Sequence, residues 1–495
     1  MRPGAAATPY PAGQAVPSPA ASGANFAQNK GVNGMKKILL TAVSAFALTT
    51  AAHADNSTST VTQTNTGNQA TVNQVAAAAG GASTINQSGA TNVATVTQSD
   101  DGIGTSPIQT SNIQQSGDSN TATVNQNSET PFNYPPFTQN SSTVLQSGNL
   151  NSATVSQKDD GQKSTIDQAS SGNLASVTQG VGGSGDTTFE NSSTVYQGGA
   201  GSHVATVSQT GRYNSSSVSQ NGLDQLADVN QLGNGNTAGV SQDGFANTSY
   251  TTQGGNNNQA YTTQAGVDGS TSTINQGGNS NYASVFQIDD GNNLSQPPLN
   301  NSTVNQSGNG NQAFVDQNAQ TAIIDNNSTI NQSGNGNFAS LTQKDDSQNS
   351  TIDQTGNGSS ATVKQGVTQF GTDNSWGNTS SVSQAGSSHI AYVEQINLSG
   401  LSDIDQSGAS NSATVYQSGY NETSDIDQSG NGSSAFVNQF GANNNAITLQ
   451  TGDLNSSTIL QGGASNYASV TQSTDGNISV VDQSASFGGS AIVTQ

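Results

Sequence analysis

From Gln384 to Gln483 a glutamine recurs at a constant step of eleven residues, and this step limits what the chain can fold into more than any other feature. The series is Gln384, Gln395, Gln406, Gln417, Gln428, Gln439, Gln450, Gln461, Gln472 and Gln483. Two positions before the later members stand Val393, Ile404, Val415, Ile426, Val437, Thr448, Ile459, Val470 and Val481, and four before them only Ala or Ser. Successive side chains of a strand point to opposite faces, so small residue, β-branched residue and glutamine share one face. That face is expected to look inward. Positions between them, such as Tyr392 and Glu394 or Thr414 and Tyr416, look outward.

After most of these glutamines the chain reads x-Gly, as at Gly386, Gly408, Gly419, Gly430, Gly441, Gly452 and Gly463. A tight turn with positive φ at glycine is the natural reading. Strands carrying Ser with Ile (Ser402/Ile404, Ser424/Ile426) largely alternate with strands carrying Ala with Val (Ala413/Val415, Ala435/Val437), so the true period is two strands in 22 residues. The fold class expected is all-β: a β-solenoid of two-strand coils, with like residues stacked about 4.8 Å apart and inward glutamines paired along a cross-β ladder.

The string Gln406-x-Gly408-x-x-Asn411-x-Ala413-x-x-x-Gln417 resembles the curlin repeat, the repeat of curli amyloid fibre subunits on bacterial surfaces. It is complete again at Gln87–Gln98, Gln115–Gln126, Gln146–Gln157, Gln231–Gln242, Gln276–Gln287, Gln306–Gln317, Gln332–Gln343 and Gln461–Gln472. The resemblance implies a secreted structural subunit that self-assembles into extracellular fibres of a biofilm matrix and serves surface adhesion. The partners it implies are further copies of the chain, a curlin-like nucleator and outer-membrane export machinery. Familiar curli subunits carry a glycine-rich segment before the repeats, whereas here the repeats begin within a few residues of Asp55.

Composition narrows the alternatives. Hydrophobic residues make up 30% and charged residues 8%, with no cysteine and a formal charge of −22. Such a polar chain would be disordered were it aperiodic. Disulfide and thiol chemistry are excluded, and an acidic, lysine-poor chain is a poor partner for nucleic acid or anionic lipid.

Residues 1–34 are rich in Ala, Pro and Gly and carry no repeat, so they read as an upstream extension from a misplaced start. Met35-Lys36-Lys37, the apolar run Ile38 to Leu48, and Ala52-His53-Ala54 have the zones of a secretory signal peptide spanning 35–54, with cleavage expected after Ala54. The run is too short to span a membrane. Cleavage would leave five cations against 31 acids, a charge of −26. Residues 55–495 form the repeat array, with loop insertions expected at 99–114, 127–140, 180–191, 288–300, 318–326 and 366–380. Two of these hold aromatics, Phe132, Tyr134 and Phe137 in one and Trp376 in another, open either to a partner or to simple surface packing.

Chemistry is thinly represented. Acidic doublets such as Asp159-Asp160 and Asp289-Asp290 suit calcium in type, yet the Gly-Gly-x-Gly-x-Asp pattern of calcium-binding rolls is missing. His203 and His389 have no partner at zinc-ligand spacing. Neither catalytic residues nor a metal or cofactor site is therefore expected, and the chain does not read as an enzyme. The alternative to a fibre subunit is a monomeric cell-surface solenoid, an adhesin or an ice-binding protein. Ice binding calls for outward Thr-x-Thr in register, which Thr95 and Thr97 supply but Asp403 and Asp405 do not.

Overall fold

The computed structural model describes residues 39–42, 49–52, 57–75, 80–100, 108–128, 139–180, 190–266, 269–289, 300–319, 325–344, 347–366 and 376–495. All of them fall in one compact unit, Lys37–Gln495. Among them there are thirty-eight strands and no helix, hence none long and apolar enough to cross a membrane. Alternate strands belong to two sheets of nineteen strands each, and every pairing between neighbours is parallel. Sheet I contains Thr58–Gln63, Ser412–Tyr420 and Ser434–Ala442; sheet II contains Gln69–Val75, Leu401–Gln406 and Thr423–Gln428.

Register follows the repeat. Val415 pairs with Val437 and Gln417 with Gln439 in sheet I, while Ile404 pairs with Ile426 and Gln406 with Gln428 in sheet II. One coil is thus two strands and 22 residues where no insertion intervenes. The inward faces meet in a thin core of Ala, Val and Ile, of which Ile85, Ile166, Ile330, Ile404 and Ile426 are fully buried. Ser takes the small slot on many strands, and Ser328, Ser350 and Ser402 bury hydroxyls with no hydrogen-bond partner among the described residues.

The interruption expected at 99–114 is shorter than the sequence suggests, because Gln109–Gln115 is a strand of sheet I paired with Gly81–Gln87. Ser111, Ile113 and Gln115 hold the inward slots there, and the preceding Gly-rich stretch hides this register in the sequence. The insertions read at 127–140, 288–300, 318–326 and 366–380 are likewise trimmed by strands that reach Ser128, Asp289 and Ala319 or begin at Thr379. Most of the 180–191 insertion, Phe132, Tyr134, Phe137, residues 1–34 and Ala54 lie outside the described residues.

The alternation of strand types contains a slip that the sequence reading passed over. Up to Leu226–Leu232 the Ala-type strands lie in sheet II; Thr237–Phe245 is again Ala-type, and from there to Ser434–Ala442 these strands lie in sheet I, until a second slip at Asn445–Gln450 returns them to sheet II. The hydrophobic core divides at the first slip into one cluster ending at Val240 and another beginning at Ala260. Between them Thr251 and Thr262 fill the β-branched slot, and Thr262 hydrogen-bonds Ser272 across the core at 3.1 Å. The variable connections change sides with the first slip. Those containing residues 101–107, 129–138 and 181–189 run from sheet II to sheet I, whereas those containing 290–299, 320–324 and 367–375 run from sheet I to sheet II.

Candidate functional site

The feature most able to do something in this molecule is a pair of side-chain amide ladders running the length of the stack. Every expected glutamine from Gln384 to Gln483 is buried in one of them. In sheet I, Gln395 Nε2 donates to Gln417 Oε1 at 2.8 Å, Gln417 to Gln439 at 2.9 Å, Gln439 to Gln461 at 2.9 Å and Gln461 to Gln483 at 3.0 Å. Sheet II repeats this from Gln384 through Gln406, Gln428 and Gln450 to Gln472. The second amide proton is used as well, since Gln417 also donates to the Leu401 carbonyl at 2.9 Å and Gln428 to that of Ser412 at 3.1 Å. Each ladder bonds the two sheets together besides bonding coil to coil.

The ladders have a direction. At each of these steps Nε2 donates toward the C-terminal side and Oε1 accepts from the N-terminal side. The two ends of the stack are therefore complementary rather than alike.

A second ladder was missed in the sequence although its residue, Asn411, stands in the quoted string. Six positions before each glutamine a buried side chain accepts the backbone N–H of its equivalent one coil on: Asn311 from Asn337, Asn337 from Ser359, Asn411 from Ser433 and Asn444 from Asn466. The free amide of Asn337 donates to the Gly356 carbonyl at 2.7 Å and that of Asn411 to Gly430 at 2.7 Å, fixing the turn of the next coil. The signal was present as an eleven-residue Asn register, interrupted by His, Glu, Ser and Gly.

Both buried histidines are rungs of this ladder. His389 Nδ1 accepts the Asn411 N–H at 3.3 Å while its Nε2 faces the Ala385 carbonyl at 2.9 Å, and His203 does the same with Gln225 and Gly198. Each ring is thus held neutral, and burial pushes both imidazoles below their usual range. Glu422 is a third substitute. It is fully buried next to Gly400, which offers no side chain, and accepts from Asn444 N–H at 3.2 Å and Asn444 Nδ2 at 3.3 Å. Desolvation raises its pKa to about 7, opposed by those two hydrogen bonds.

These groups act in opposite senses on stability. Glu422 imposes no penalty below the unfolded carboxylate range, and the penalty grows as pH rises from there through about 7. The histidines are harmless above their unfolded value and cost stability as pH falls below it. Glu422→Gln should therefore stabilise the chain at pH 8 by roughly 1–2 kcal/mol after allowance for screening at the turn, and by nothing at pH 4. Denaturant midpoints of the two proteins across pH check this; a constant difference would refute it.

The turn glycines serve two purposes. Gly386, Gly408, Gly419, Gly441 and Gly463 have positive φ as expected, but Gly430 and Gly452 do not. There the need is space, because a Cβ on Gly430 would collide with the Gly452 carbonyl and one on Gly452 with that of Thr474.

On the outer face of sheet II, Asp403 pairs with Asp425 and Asp405 with Asp427. Desolvation is the first cause of the raised pKa values of Asp403, Asp425 and Asp427, with neighbouring carboxylates adding to it. Of the acidic doublets, Asp101, Asp290, Asp345 and Asp346 lie outside the described residues, and Asp160 is buried and accepts a hydrogen bond from Ser128. Trp376 is exposed.

A family model described as the curlin associated repeat matches residues 205–233, 408–441 and 441–473. The chain carries curlin repeats. Two of the three matches adjoin at Gly441. No curated protein matches the chain. Curlin repeats and a parallel β-solenoid are structural features, and they fit a curli-like structural subunit.

Proposed function

We propose that the chain is a secreted subunit that polymerises coil upon coil into extracellular, curli-like amyloid fibres of a biofilm matrix and serves surface adhesion. The observation that carries this reading is the direction of the glutamine ladders: a stack whose donors all point one way ends in Gln483 Nε2 on one side and Gln63 Oε1 on the other. A second copy docked head to tail continues both the backbone pairing and the amide ladder. Two short strands, Leu39–Ala42 and Thr49–Ala52, pair with Thr60–Gln63 and Thr71–Gln74. They fall in the stretch read as a signal peptide, and cleavage after Ala54 would bare that edge. A nucleator and outer-membrane export machinery complete the proposed set of partners.

The monomeric alternatives draw on the outer faces. Thr71, Thr95, Thr123 and Thr154 do stack in register on sheet II, a longer column than Thr95 alone announces. Its neighbour column mixes Asn73, Thr97, Asn125 and Ser156, which spoils the flat Thr-x-Thr array that ice binding calls for.

The test is assembly of the purified chain from Asp55 onward, followed by an amyloid dye. Fibres should elongate from seeds, and the lag should shorten as pH falls from neutral into the carboxylate range. Raised aspartate pKa values mean that the cost of stacking Asp403, Asp425 and Asp427 is present above their folded values and relieved below them. Added salt at neutral pH should act in the same direction by screening. Asp405→Asn with Asp427→Asn should flatten the response; soluble monomer at every pH would sink the proposal.

A further inference from the structure

The outer face of sheet I carries aromatic side chains that touch along the stack, and one group of them is arranged as more than a packing contact. Tyr392 and Tyr416 lie on adjacent strands, Ile390–Leu398 and Ser412–Tyr420, with ring centroids 5.5 Å apart and planes tilted by 51°. Register places Tyr416 directly above Glu394, two residues beyond Tyr392 on the same face. The phenol of Tyr392 donates to Glu394 Oε2 at 2.5 Å. From the coil below, Lys364 sets its Nζ 5.4 Å from the centre of the Tyr392 ring, opposite Glu394 in the pairing. A tyrosine hydrogen-bonded to a carboxylate and in contact with a second tyrosine has both things that oxidative coupling needs: an acceptor for the phenol proton and a ring within reach.

We propose that Tyr392 and Tyr416 form a dityrosine cross-link when the chain meets a peroxidase and hydrogen peroxide, stapling two neighbouring coils. Each phenol gives up one electron to the oxidant and one proton, that of Tyr392 passing to Glu394. The two phenoxyl radicals join through the ring carbons ortho to oxygen, forming one C–C bond. Both ortho hydrogens then shift to oxygen and restore two phenols. Two electrons and two protons have left the pair, and they reduce one peroxide to two waters. Burial, with the Glu394 carboxylate, raises the pKa of Tyr392, so its phenol stays protonated and hydrogen-bonded at neutral pH. Loss of the electron and transfer of the proton along an existing hydrogen bond avoid a charged intermediate in this half-covered site. Lys364 offsets the carboxylate, so the site is not strongly anionic despite a chain charge of −22. Tyr416 remains 38% exposed, open to a small oxidant or a peroxidase edge.

The molecule supplies its own controls. Tyr261 and Tyr282 also touch, at 5.8 Å and 46°, and neither phenol bonds a carboxylate among the described residues. Tyr213 and Tyr420 are more exposed, at 60% and 58%, and neither ring touches another aromatic ring among the described residues.

The experiment treats dilute full chain with a haem peroxidase and hydrogen peroxide, reads dityrosine fluorescence, and maps the link by mass spectrometry after denaturation and digestion. A mixture of isotopically light and heavy chains separates links within one molecule from links between two. Tyr392–Tyr416 should be the leading product, without mixed-isotope pairs, and Tyr261–Tyr282 the second. Tyr416→Phe should abolish only the first. Glu394→Gln should slow the first by roughly tenfold or more and leave the second unchanged, with circular dichroism verifying that each variant keeps its strands. Links led by Tyr213 and Tyr420, or mixed-isotope links in proportion to exposure, would overturn the proposal. An unchanged Tyr392–Tyr416 rate in Glu394→Gln would overturn the role given to Glu394.

Discussion

Gln417→Leu should be one of the most damaging single substitutions in the chain. The side chain is buried at a point where three hydrogen bonds meet: it accepts from Gln395 and donates to Gln439 and to the Leu401 carbonyl. Leucine has a similar volume and belongs in an apolar core, so the loss is not one of packing. What remains is Gln395 with an amide proton and Gln439 with an oxygen that no longer have partners, each buried, at about 1–3 kcal/mol apiece. A loss of roughly 2–6 kcal/mol is expected, together with slower assembly, measured by denaturant midpoint and by lag time. Asn438→Leu, one position away on the outward face, should change the midpoint by no more than about 0.5 kcal/mol. If the two variants behave alike, the amide ladder does not stabilise the stack.

Gly334→Ala should be comparably severe for a different reason. The turn at Gly334 lies beneath its equivalent in the next coil, and an added Cβ would fall far inside contact distance of the Gly356 carbonyl oxygen. Backbone cannot yield there without breaking the hydrogen bond from Asn337 to that same carbonyl. Overpacking of this kind costs about 1–3 kcal/mol where neighbours can shift, and more where they are backbone. Gly336, two residues on, has φ +65° and open space around its Cβ position. Gly336→Asn, a residue that tolerates this conformation, should stay within about 1 kcal/mol of wild type. Thermal melts of the pair separate steric stacking from backbone strain.

The eleven-residue glutamine step and its flanking β-branched register are enough to read the sheets, the inward faces and the amide pairing from the sequence. What stayed hidden was whatever depends on the neighbouring coil rather than on the strand itself. Gly430 looks like Gly408 in sequence, and a Cβ on either would meet a carbonyl of the next coil, yet only Gly408 has a positive φ as well. His389 and Glu422 look like isolated titratable residues because their ladder partners, Asn411 and Asn444, are 22 residues away. Gln109–Gln115 escaped because an undescribed connection of irregular length precedes it, breaking the count that worked elsewhere.

The slip near Val240 has a consequence for how such a chain changes over time. A single strand is half a lap, so gaining or losing one eleven-residue unit alters the parity of everything downstream. Both sheets use the same glutamine register, so the stack accepts an odd unit without a break in hydrogen bonding, as the pairing of Gln220 with Gln242 and Gln231 with Gln253 illustrates. What reverses is which flank of the ribbon carries the variable connections. A duplication of one strand is thereby enough to move an entire set of surface loops from one flank to the other while the interior stays the same.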